Sequence, residues 1–535
     1  MARSDAPPIW TRNGMAVARA DIPDVPLAPF RRSCIEACSK GVRLAALFAL
    51  PAESRDPETK QEILAVLADD ARGAVGLLAT RVPDSRRYPA LSTELPQAQA
   101  FERELFEDHD IRPEGHPWLK PLRRHADLEA RPGSAIPGGA PHPFFRVEGS
   151  GIHEVAVGPV HAGIIGPGHF RFQCHGEIVD HLEIQLGYQH RGAEALLLRS
   201  SPARRLAVAE SITGDTSVGH ALAYCMAIEA LANVEAPLYA QAVRGIALEL
   251  ERLSNHVGDL GALCNDVGFL PGASWFGRLR GEFLNLLVEL SGSRFGRGLI
   301  KPGGVRFGLS AEQRTDFLAR LARAERDLED TAQVTFHSNT VGSRFEHTGV
   351  VTREAAEALA LVGPVARASG CDRDVRRDHP FGMFRFAHIP VAFVESGDVM
   401  ARALVRWLET QRSNTFLLEQ LKELPPESLS VAIPGQDLRE EPGGPPSHRN
   451  PRGGPGGPAS PLAPESLAVS MVEGWRGEIV HVAVTSADGG LAGYKIVDPS
   501  FHNWFGLSMA LRGNQISDFP LCNKSFNLSY AGHDL

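Results

Sequence analysis

Two short segments of the chain have the spacing of a Cys-x-x-Cys metal motif, but they carry hydroxyl and amide side chains where cysteines would stand. The residues concerned are Thr213, Thr216 and His220 in the first segment, and Asp498, Ser500 and Asn503 in the second. A soft metal is held by thiolate anions, whereas Ser and Thr hydroxyls are neutral near pH 7 and are hard donors. The sequence therefore predicts that a metal site has been lost while its surroundings remain.

A second group of polar residues lies on one predicted long helix. Glu251 and Arg252 are followed by Asn255 and His256 at a spacing of four residues, which places them on one side of that helix. A buried polar network that holds helices together is favoured over direct catalysis for this group. Asp498, which directly precedes a proline, is a candidate N-cap.

Composition places the chain among ordinary globular proteins. It has 535 residues, 43% of them hydrophobic and 22% charged, and a net charge of -9, which gives no electrostatic case for binding nucleic acid. The longest apolar stretches are too short or too interrupted to span a bilayer, so we expect any membrane association to go through a partner. Seven scattered cysteines predict free, buried thiols in a reducing compartment.

The elements that must position these residues predict an α+β fold. We expect a small N-terminal α/β domain followed by a large helical-bundle domain with flanking short β-sheets. The predicted ranges are an extended arm at 1–30, a small domain at 31–125, a linker at 126–150 and a large domain at 151–535, with a flexible Pro/Gly insertion at 436–465.

Hydrophobic periodicity gives the element types. Helices are predicted at 60–78, 221–232, 238–263, 276–297, 311–332 and 399–424, and strands at 153–160, 169–186, 477–484 and 493–497. Lys301 to Arg306 has too few glycines in the right frame for a phosphate loop and is interpreted as a turn. The charges between Arg367 and Asp378 are those of a solvated face. The acidic and aromatic segment from Phe101 to His116 predicts an interface with the second domain, with a bare surface helix as the alternative.

Several long motifs together resemble one family. They are Gly158–Gly163, Gly187–Glu194, Gly214–His220, Glu251–His256, and Asp498–Ser500 with Asp518–Tyr530. They resemble the large subunit of membrane-bound, energy-converting nickel–iron hydrogenases of the formate hydrogenlyase and hydrogenase-4 type, and the homologous 49-kDa-type, quinone-site subunit of respiratory complex I (NADH-quinone oxidoreductase). Residues 101–117 resemble the signature of the 30-kDa-type subunit of complex I, so the small domain is similar to that subunit and the large domain to the 49-kDa-type one.

The resemblance implies partners and a place in the cell. It implies an iron–sulfur small subunit, similar to the one in complex I, and antiporter-like membrane subunits. The chain would lie on the cytoplasmic side of the inner (plasma) membrane, held there by these partners. We expect no cofactor bound by this chain, an iron–sulfur cluster in the small subunit, and NAD and quinone binding only as properties of the family. In the family, the region of the charge run faces the iron–sulfur partner.

The departures from the family pattern decide the expected chemistry. Thr213, Thr216, Ser500 and Asn503 stand where the hydrogenases have their four thiolates, so we expect no nickel–iron centre. The quinone pattern is also incomplete, because Ile165 replaces its second histidine. A cavity is still expected here, with a small acceptor that is a quinone or another molecule. Its expected lining residues are His161, His169, Thr213, Asp215, Thr216, Ser500 and His502.

Two interpretations of the polar residues stay open. In one, the resemblance makes Glu194 a proton carrier, and the candidate cavity or proton-path residues are Glu194, His161, Asp215, His220 and Asp498. In the other, Glu194 belongs to a structural ion pair with Arg191 that caps a helix. The corresponding functions are a metal-free redox subunit that couples electron transfer to proton movement, and a non-catalytic scaffold. An active hydrogenase would require stoichiometric nickel.

Overall fold

The computed structural model of the chain describes residues 6–50, 61–124, 142–433 and 462–535. Most of the predicted linker, at 126–141, and most of the predicted insertion, at 436–461, lie outside the described residues. The described residues combine helices with several small, mainly antiparallel sheets, so the predicted α+β class is confirmed.

The strands are short, as in most sheets of this size. They are β1 (Ile9–Thr11), β2 (Ala16–Ala18), β3 (Arg43–Ala49), β4 (Glu62–Asp69), β5 (Ala74–Arg81), β6 (Arg87–Pro89), β7 (Arg112–Glu114), β8 (Ile152–Val157), β9 (His169–His175), β10 (Ile178–Gln185), β11 (Ile300–Lys301), β12 (Gly304–Val305), β13 (Ser466–Gly474), β14 (Gly477–Thr485) and β15 (Leu491–Val497).

The helices vary widely in length. They are α1 (Leu27–Ser39), α2 (Gln99–His109), α3 (Ala193–Arg199), α4 (Pro202–Glu210), α5 (Ser217–Ala232), α6 (Leu238–Asp266), α7 (Leu270–Ser291), α8 (Ala311–Phe336), α9 (Asn339–Phe345), α10 (Arg353–Ala358), α11 (Gly363–Ala368), α12 (Val375–Asp378), α13 (Val399–Lys422), α14 (Pro499–Ala510), α15 (Phe519–Phe526) and α16 (Tyr530–His533).

The first sheet has the strand order β1-β5-β4-β3 and is antiparallel throughout. The helix predicted over Lys60 to Leu78 is therefore wrong, because this range holds β4 and part of β5. Residues 63–68 are all buried, so the strand reads as a nearly continuous apolar run without the alternation of a half-exposed strand. Such a buried run accounts for the spacing of Ile63, Leu64, Val66 and Leu67 as well as one face of a helix does.

The N-terminal segment is extended but is tied into two sheets. Strand β1 pairs with β5 of the first sheet, and β2 pairs with β13 of a second sheet ordered β15-β14-β13-β2. Between these strands the Asn13 side chain donates to Met471 O at 2.9 Å and accepts from Met471 N at 2.7 Å. The second sheet is almost wholly buried and packs against α5.

The predicted long helices are present at close to their predicted bounds. Helix α6 has 29 residues and is buried along most of its length, because α7, α13 and α15 all pack against it. Lys301 to Arg306 forms the β11–β12 hairpin, which confirms the predicted turn. None of the helices in the described ranges combines the length and apolar character needed to cross a bilayer.

The charge run between Arg367 and Asp378 is not a solvated face. Arg367, Asp374 and Arg376 are each at most 4% exposed, although Asp372 is exposed. The run turns inward because Arg367 lies 2.9 Å from Glu473, a carboxylate of the buried strand β13. Opposite charges on other elements thus decide the burial of this segment.

Helix α2 of the N-terminal region contacts the second sheet through charged side chains. Glu104 lies 2.7 Å from Lys495 of β15 and 2.6 Å from Arg123. Arg43 of β3 lies 2.7 Å from Glu478 of β14. All five residues are buried, so the expected interface function of the acidic segment around α2 is confirmed over a bare surface helix.

Candidate functional site

The first motif lies between α4 and α5, with Thr216 at the N-cap position of α5. The hydroxyl Oγ1 of Thr216 accepts from Trp475 Nε1 at 3.1 Å and from Arg476 Nη1 at 3.3 Å, and it donates to Asp215 Oδ1 at 3.2 Å. Thr213 is 1% exposed, and its hydroxyl has no hydrogen-bond partner in the part of the chain that the structure describes. Protein groups thus engage the hydroxyl of Thr216 fully, whereas that of Thr213 is buried without a bond.

The second motif starts α14. Asp498 is the N-cap, as predicted, and its Oδ1 accepts from Ser500 N at 2.8 Å. Ser500 Oγ accepts from Ser529 N at 2.8 Å. The Asn503 side chain donates to Val362 O and accepts from Val362 N, both at 3.0 Å. The amide of Asn503 therefore pairs with a backbone unit as a neighbouring strand would.

One hydrogen bond joins the two motifs directly. His220 Nε2 lies 3.2 Å from Asp498 Oδ2, and both residues are at most 1% exposed. Arg476 makes a bidentate pair with Asp215 at 2.7 and 2.8 Å. Burial raises the pKa of Asp498, but the bond to His220 and the charges of His220 and Arg476 outweigh it and leave that pKa lowered. The sequence-predicted residues Asp215, His220 and Asp498 thus belong to one cluster, in which His220 and Asp498 are buried and Asp215 is partly exposed.

The residues at the four thiolate positions do not fit a nickel–iron centre. They offer neutral oxygen and nitrogen atoms, and three of the four side chains are committed to bonds within the protein. Within the described ranges, no group of three or more His, Cys, Asp or Glu side chains is arranged to hold a metal ion. Burial also raises the pKa of the Cys225 and Cys522 thiols, which keeps both in the protonated form.

A cavity of about 430 Å³ lies beside the first motif. Its lining includes Asp215, Arg476 and Tyr530, together with Gly163–Gly166 and Asn523–Lys524. Of the seven residues predicted to line a cavity here, only Asp215 does so. The other six residues do not line this cavity, because neighbouring groups cover them. Thr213, Thr216 and Ser500 lie buried behind the wall, while His161, His169 and His502 bond or pack elsewhere.

The three histidines have separate surroundings. His161 Nε2 lies 2.8 Å from Gly168 O, and His169 Nδ1 lies 3.2 Å from Gly158 O. The ring of His502 packs against Phe101 of α2 with 5.6 Å between ring centroids, and burial lowers its pKa to about 4. His161 therefore belongs to the loop that borders the cavity, but its ring bonds within that loop.

Glu194 is the first acidic residue of α3 and bonds to β15. Its Oε1 accepts from Ile496 N at 2.9 Å and lies 3.1 Å from Lys495 Nζ. Arg191, the expected pairing partner, instead donates to the carbonyls of Ser211 and Ile212. Burial raises the pKa of Glu194, and the charge of Lys495 opposes the rise. An ion pair is present, as one interpretation expected, but its partner is Lys495.

Glu251 of α6 binds the N-terminus of α5. Its Oε2 accepts from Val218 N at 2.7 Å and its Oε1 accepts from Gly219 N at 3.1 Å. Burial, the largest cause, raises its pKa to about 8. The two N–H groups oppose that rise and the charge of Asp215 adds to it. This carboxyl is therefore mostly protonated at neutral pH, next to the cluster that holds Asp498.

Two other residues of the Glu251 motif, Arg252 and His256, belong to a buried network, as predicted. His256 Nε2 lies 3.0 Å from Glu409 Oε2, which is also bound by Arg252, and Arg367 donates to Glu409 Oε1 at 2.8 Å. Glu473 completes this network and, mainly because of burial, its pKa is raised to about 7. The network connects α6, α11, α13 and β13, so the expectation of a network that holds the bundle together is confirmed.

Sequence reasoning missed several residues of the cluster. Trp475 and Arg476 occupy the turn between β13 and β14, and β13 itself was not predicted. His481 and Tyr494 extend the His220–Asp498 pair on the far side of the imidazole. A Trp-Arg-Gly turn and single polar residues in apolar strands were the available signals. Strand pairing, which the sequence does not give, brings them to the site.

Comparison with known proteins identifies the relatives of the chain. It is 29% identical to hydrogenase-4 component G of Escherichia coli over 468 residues, which cover 84% of this chain and 76% of that protein. It is 27% identical to formate hydrogenlyase subunit 5 of E. coli over 84% of this chain and 77% of that protein. It is also 30% identical to an NADH-quinone oxidoreductase subunit of Chloroherpeton thalassium over 50% of this chain and 61% of that protein.

These relatives define the class: the chain is a large subunit of a complex I-like or hydrogenase-like assembly. The family model of the respiratory-chain NADH dehydrogenase 49-kDa subunit matches residues 266–534. The chain therefore belongs to that family. The resemblance inferred from the motifs is confirmed.

Proposed function

We propose that the chain is the metal-free large subunit of a membrane-associated redox complex. It would form a polar cavity beside an iron–sulfur small subunit and couple electron transfer at that cavity to proton movement. The observation that carries this proposal is the exchange of thiolates for neutral side chains that the protein itself engages, while ionisable groups stay in place around them. Asn503 and Ser500 are bonded to backbone groups, and Asp215, Glu251 and Asp498 are clustered next to them.

The cavity supplies a place for a small acceptor. About 430 Å³ is enough for a compact polar ring system. Arg476 and Lys524 give its wall a positive side, and Tyr530 lies in the same wall. Such a wall favours an acceptor that gains negative charge on reduction, which a quinone or a similar carbonyl compound does.

The partners follow from the same proposal. The iron–sulfur cluster belongs to the small subunit, since this chain offers no thiolate set for one among its described residues. Antiporter-like membrane subunits would hold the complex on the cytoplasmic side of the inner (plasma) membrane. Reduction of an acceptor in the cavity would draw protons through the buried carboxyl and imidazole groups.

Elemental analysis and turnover of the purified complex test this proposal together. We expect iron without stoichiometric nickel, no hydrogen evolution, and reduction of a quinone when the iron–sulfur cluster is reduced. Asp498→Asn should suppress this turnover with the complex still assembled, and Asp316→Asn, at an exposed position of α8, is the matched control. Stoichiometric nickel in the complex would overturn the proposal.

A scaffold without turnover is the second candidate, and one observation favours it. The acidic groups of the site are paired: Asp215 with Arg476, and Glu194 with Lys495. Structural ion pairs perturb pKa values without any catalytic function. Glu194→Gln separates the two candidates, because a scaffold keeps full turnover of the complex with this variant whereas a proton path through Glu194 loses it.

A further inference from the structure

The bond between Asp498 and His220 is the start of a longer chain of side chains. His220 Nδ1 lies 3.1 Å from His481 Nε2, and His481 Nδ1 lies 2.8 Å from the hydroxyl of Tyr494. Both imidazoles are 0% exposed, Asp498 is 1% exposed and Tyr494 is 5% exposed. Four side chains from α5, β14, β15 and the start of α14 thus form one continuous buried line, and Tyr494 is the most exposed of the four.

The carboxylate sets the direction of the hydrogen bonds in this line. Ionised Asp498 only accepts, so His220 presents Nε2–H to it and accepts at Nδ1. His481 must then donate from Nε2 and accept at Nδ1, and Tyr494 must donate its hydroxyl proton to His481. With both imidazoles neutral, every ring nitrogen in the line has one partner of the right kind. Burial lowers the pKa of His481, which keeps this ring neutral.

One added proton reverses the direction of every bond beyond His220. If the Tyr494 proton moves to His481 Nδ1, the proton on His481 Nε2 moves to His220 Nδ1. A proton from water replaces the one that Tyr494 gave up. His220 then carries N–H groups on both nitrogens beside Asp498, and His481 donates from Nδ1 to Tyr494. Each O–H or N–H bond that breaks is matched by one that forms, and the line holds one more proton.

The reversed line needs a new acceptor for the Tyr494 hydroxyl, and a candidate lies beside it. The hydroxyl of Tyr224 is fully buried and has no hydrogen-bond partner among the described residues, and its ring centroid lies 6.3 Å from that of Tyr494. A buried hydroxyl without a hydrogen-bond partner costs stability. A second state in which this hydroxyl is bonded would recover that cost. Tyr224 is not itself one of the four side chains in the line.

Charges around the line favour holding the proton at the His220 end. Asp498 is bonded to His220 directly, and Asp215 lies in the same cluster, with Arg476 as the opposing charge; the neighbouring Glu251 is mostly protonated at neutral pH. At the other end, the ionisable groups near Tyr494 are Tyr224, Cys225, Arg205 and Glu194. An imidazolium next to a carboxylate is stabilised in a buried site, whereas a charge on His481 would have no anion in contact.

We propose that His220, His481 and Tyr494 form a proton-loading relay that takes a proton from water at Tyr494 and holds it on His220 beside Asp498. His481 and Tyr494 are positioning residues in this relay, and Tyr224 accepts the Tyr494 hydroxyl in the loaded state. The relay rests on the proposed function, because it supplies the proton that a reduced acceptor in the neighbouring cavity would require.

Nitrogen NMR of the full chain labelled with ¹⁵N-histidine tests the relay without any turnover. His220→Gln and His481→Gln assign the two residues. We expect the proton of His481 to move from Nε2 to Nδ1 at the same pH at which His220 gains its second proton. Tyr494→Phe removes the hydroxyl that exchanges a proton with His481 Nδ1 and should abolish this coupled change. Tyr88→Phe, which removes a buried hydroxyl of the N-terminal region, should leave it unchanged.

Two results would overturn the relay. One is a His481 tautomer that stays the same while His220 titrates. The other is a coupled change that persists in folded Tyr494→Phe. Neither result depends on nickel content or on turnover of the complex, so a failed relay and a failed redox function are distinguishable.

Discussion

Glu251 offers a quantitative test of the buried cluster through the variant Glu251→Gln. The carboxyl has an ordinary pKa of 4.5, and burial raises it to about 8 in the folded chain. At pH 7 about nine-tenths of the folded molecules should therefore carry the proton. The side chain is 2% exposed, so solvent screening does not reduce this effect.

The sign of the pH dependence follows from the two states. Between pH 4.5 and about 8 the unfolded chain has released this proton and the folded chain retains it, so stability falls as pH rises. The contribution is fully present below pH 4.5 and is lost as pH passes through about 8. A shift of about 3.5 pH units at 1.36 kcal/mol each amounts to a loss of about 5 kcal/mol across the window.

The neutral amide of Glu251→Gln should abolish this dependence. We expect the difference in unfolding free energy between variant and wild type to change by about 1.4 kcal/mol per pH unit between pH 5 and pH 7.5, in favour of the variant as pH rises. Urea unfolding followed at several pH values measures the difference, and the infrared band of a protonated carboxyl reports the ionisation directly. Glu419→Gln, at an exposed position of α13, is the matched control.

Two outcomes would refute this reasoning. One is a difference in unfolding free energy that does not vary with pH. The other is a wild-type infrared spectrum without a protonated carboxyl that Glu251→Gln removes. Either would show that the N–H groups of Val218 and Gly219 stabilise the anion more than burial destabilises it.

Three further substitutions test the contacts around the site. Lys495→Met leaves Glu104 and Glu194 without their shared cation, so we expect the free energy of unfolding in urea to fall by about 3 kcal/mol. Adding Glu104→Gln should restore part of this loss, and strictly additive losses would contradict the coupling. Asn503→Ala leaves Val362 N and O unpaired and should lower the free energy of unfolding by about 2–4 kcal/mol. The control Asn339→Ala, at an exposed position, should lower it little, and equal losses would argue against the backbone pairing. Asp215→Asn removes a negative charge that raises the pKa of Glu251, so the infrared midpoint of Glu251 should fall; a rise would show that the charge of Asp215 does not reach that carboxyl.

The sequence was sufficient to predict the long helices and the family of the protein. Amphipathic spacing located α6 and α13 within a few residues, because their polar and apolar positions alternate with the helical period. It failed for β4, where burial on both faces removes the alternation that marks a strand. The motifs around Thr213 and Asp498 were sufficient to place both segments at one site, where His220 and Asp498 are in fact bonded.

What the sequence could not give is the set of partners that come from distant strands. Arg476 and His481 belong to strands or turns whose register is decided by pairing between β13 and β14. The cavity lining was predicted from proximity to the motifs, but a hydroxyl in a motif is as easily covered as exposed. Ser500 was covered because Ser529 N bonds to it.

The pairing of β2 with β13 has a consequence for biosynthesis. Asn13 bonds to Met471, 458 positions further along the chain, and β2 adds to the edge of the sheet that β13 begins. As the ribosome releases the chain from its amino end, Asn13 emerges 458 positions before Met471, and β2 likewise emerges well before its partner β13. Contacts of such long sequence separation form slowly. The early strand edge must therefore remain without this partner while the residues between them are synthesised, and a chaperone that shields it during this interval should raise the yield of folded protein.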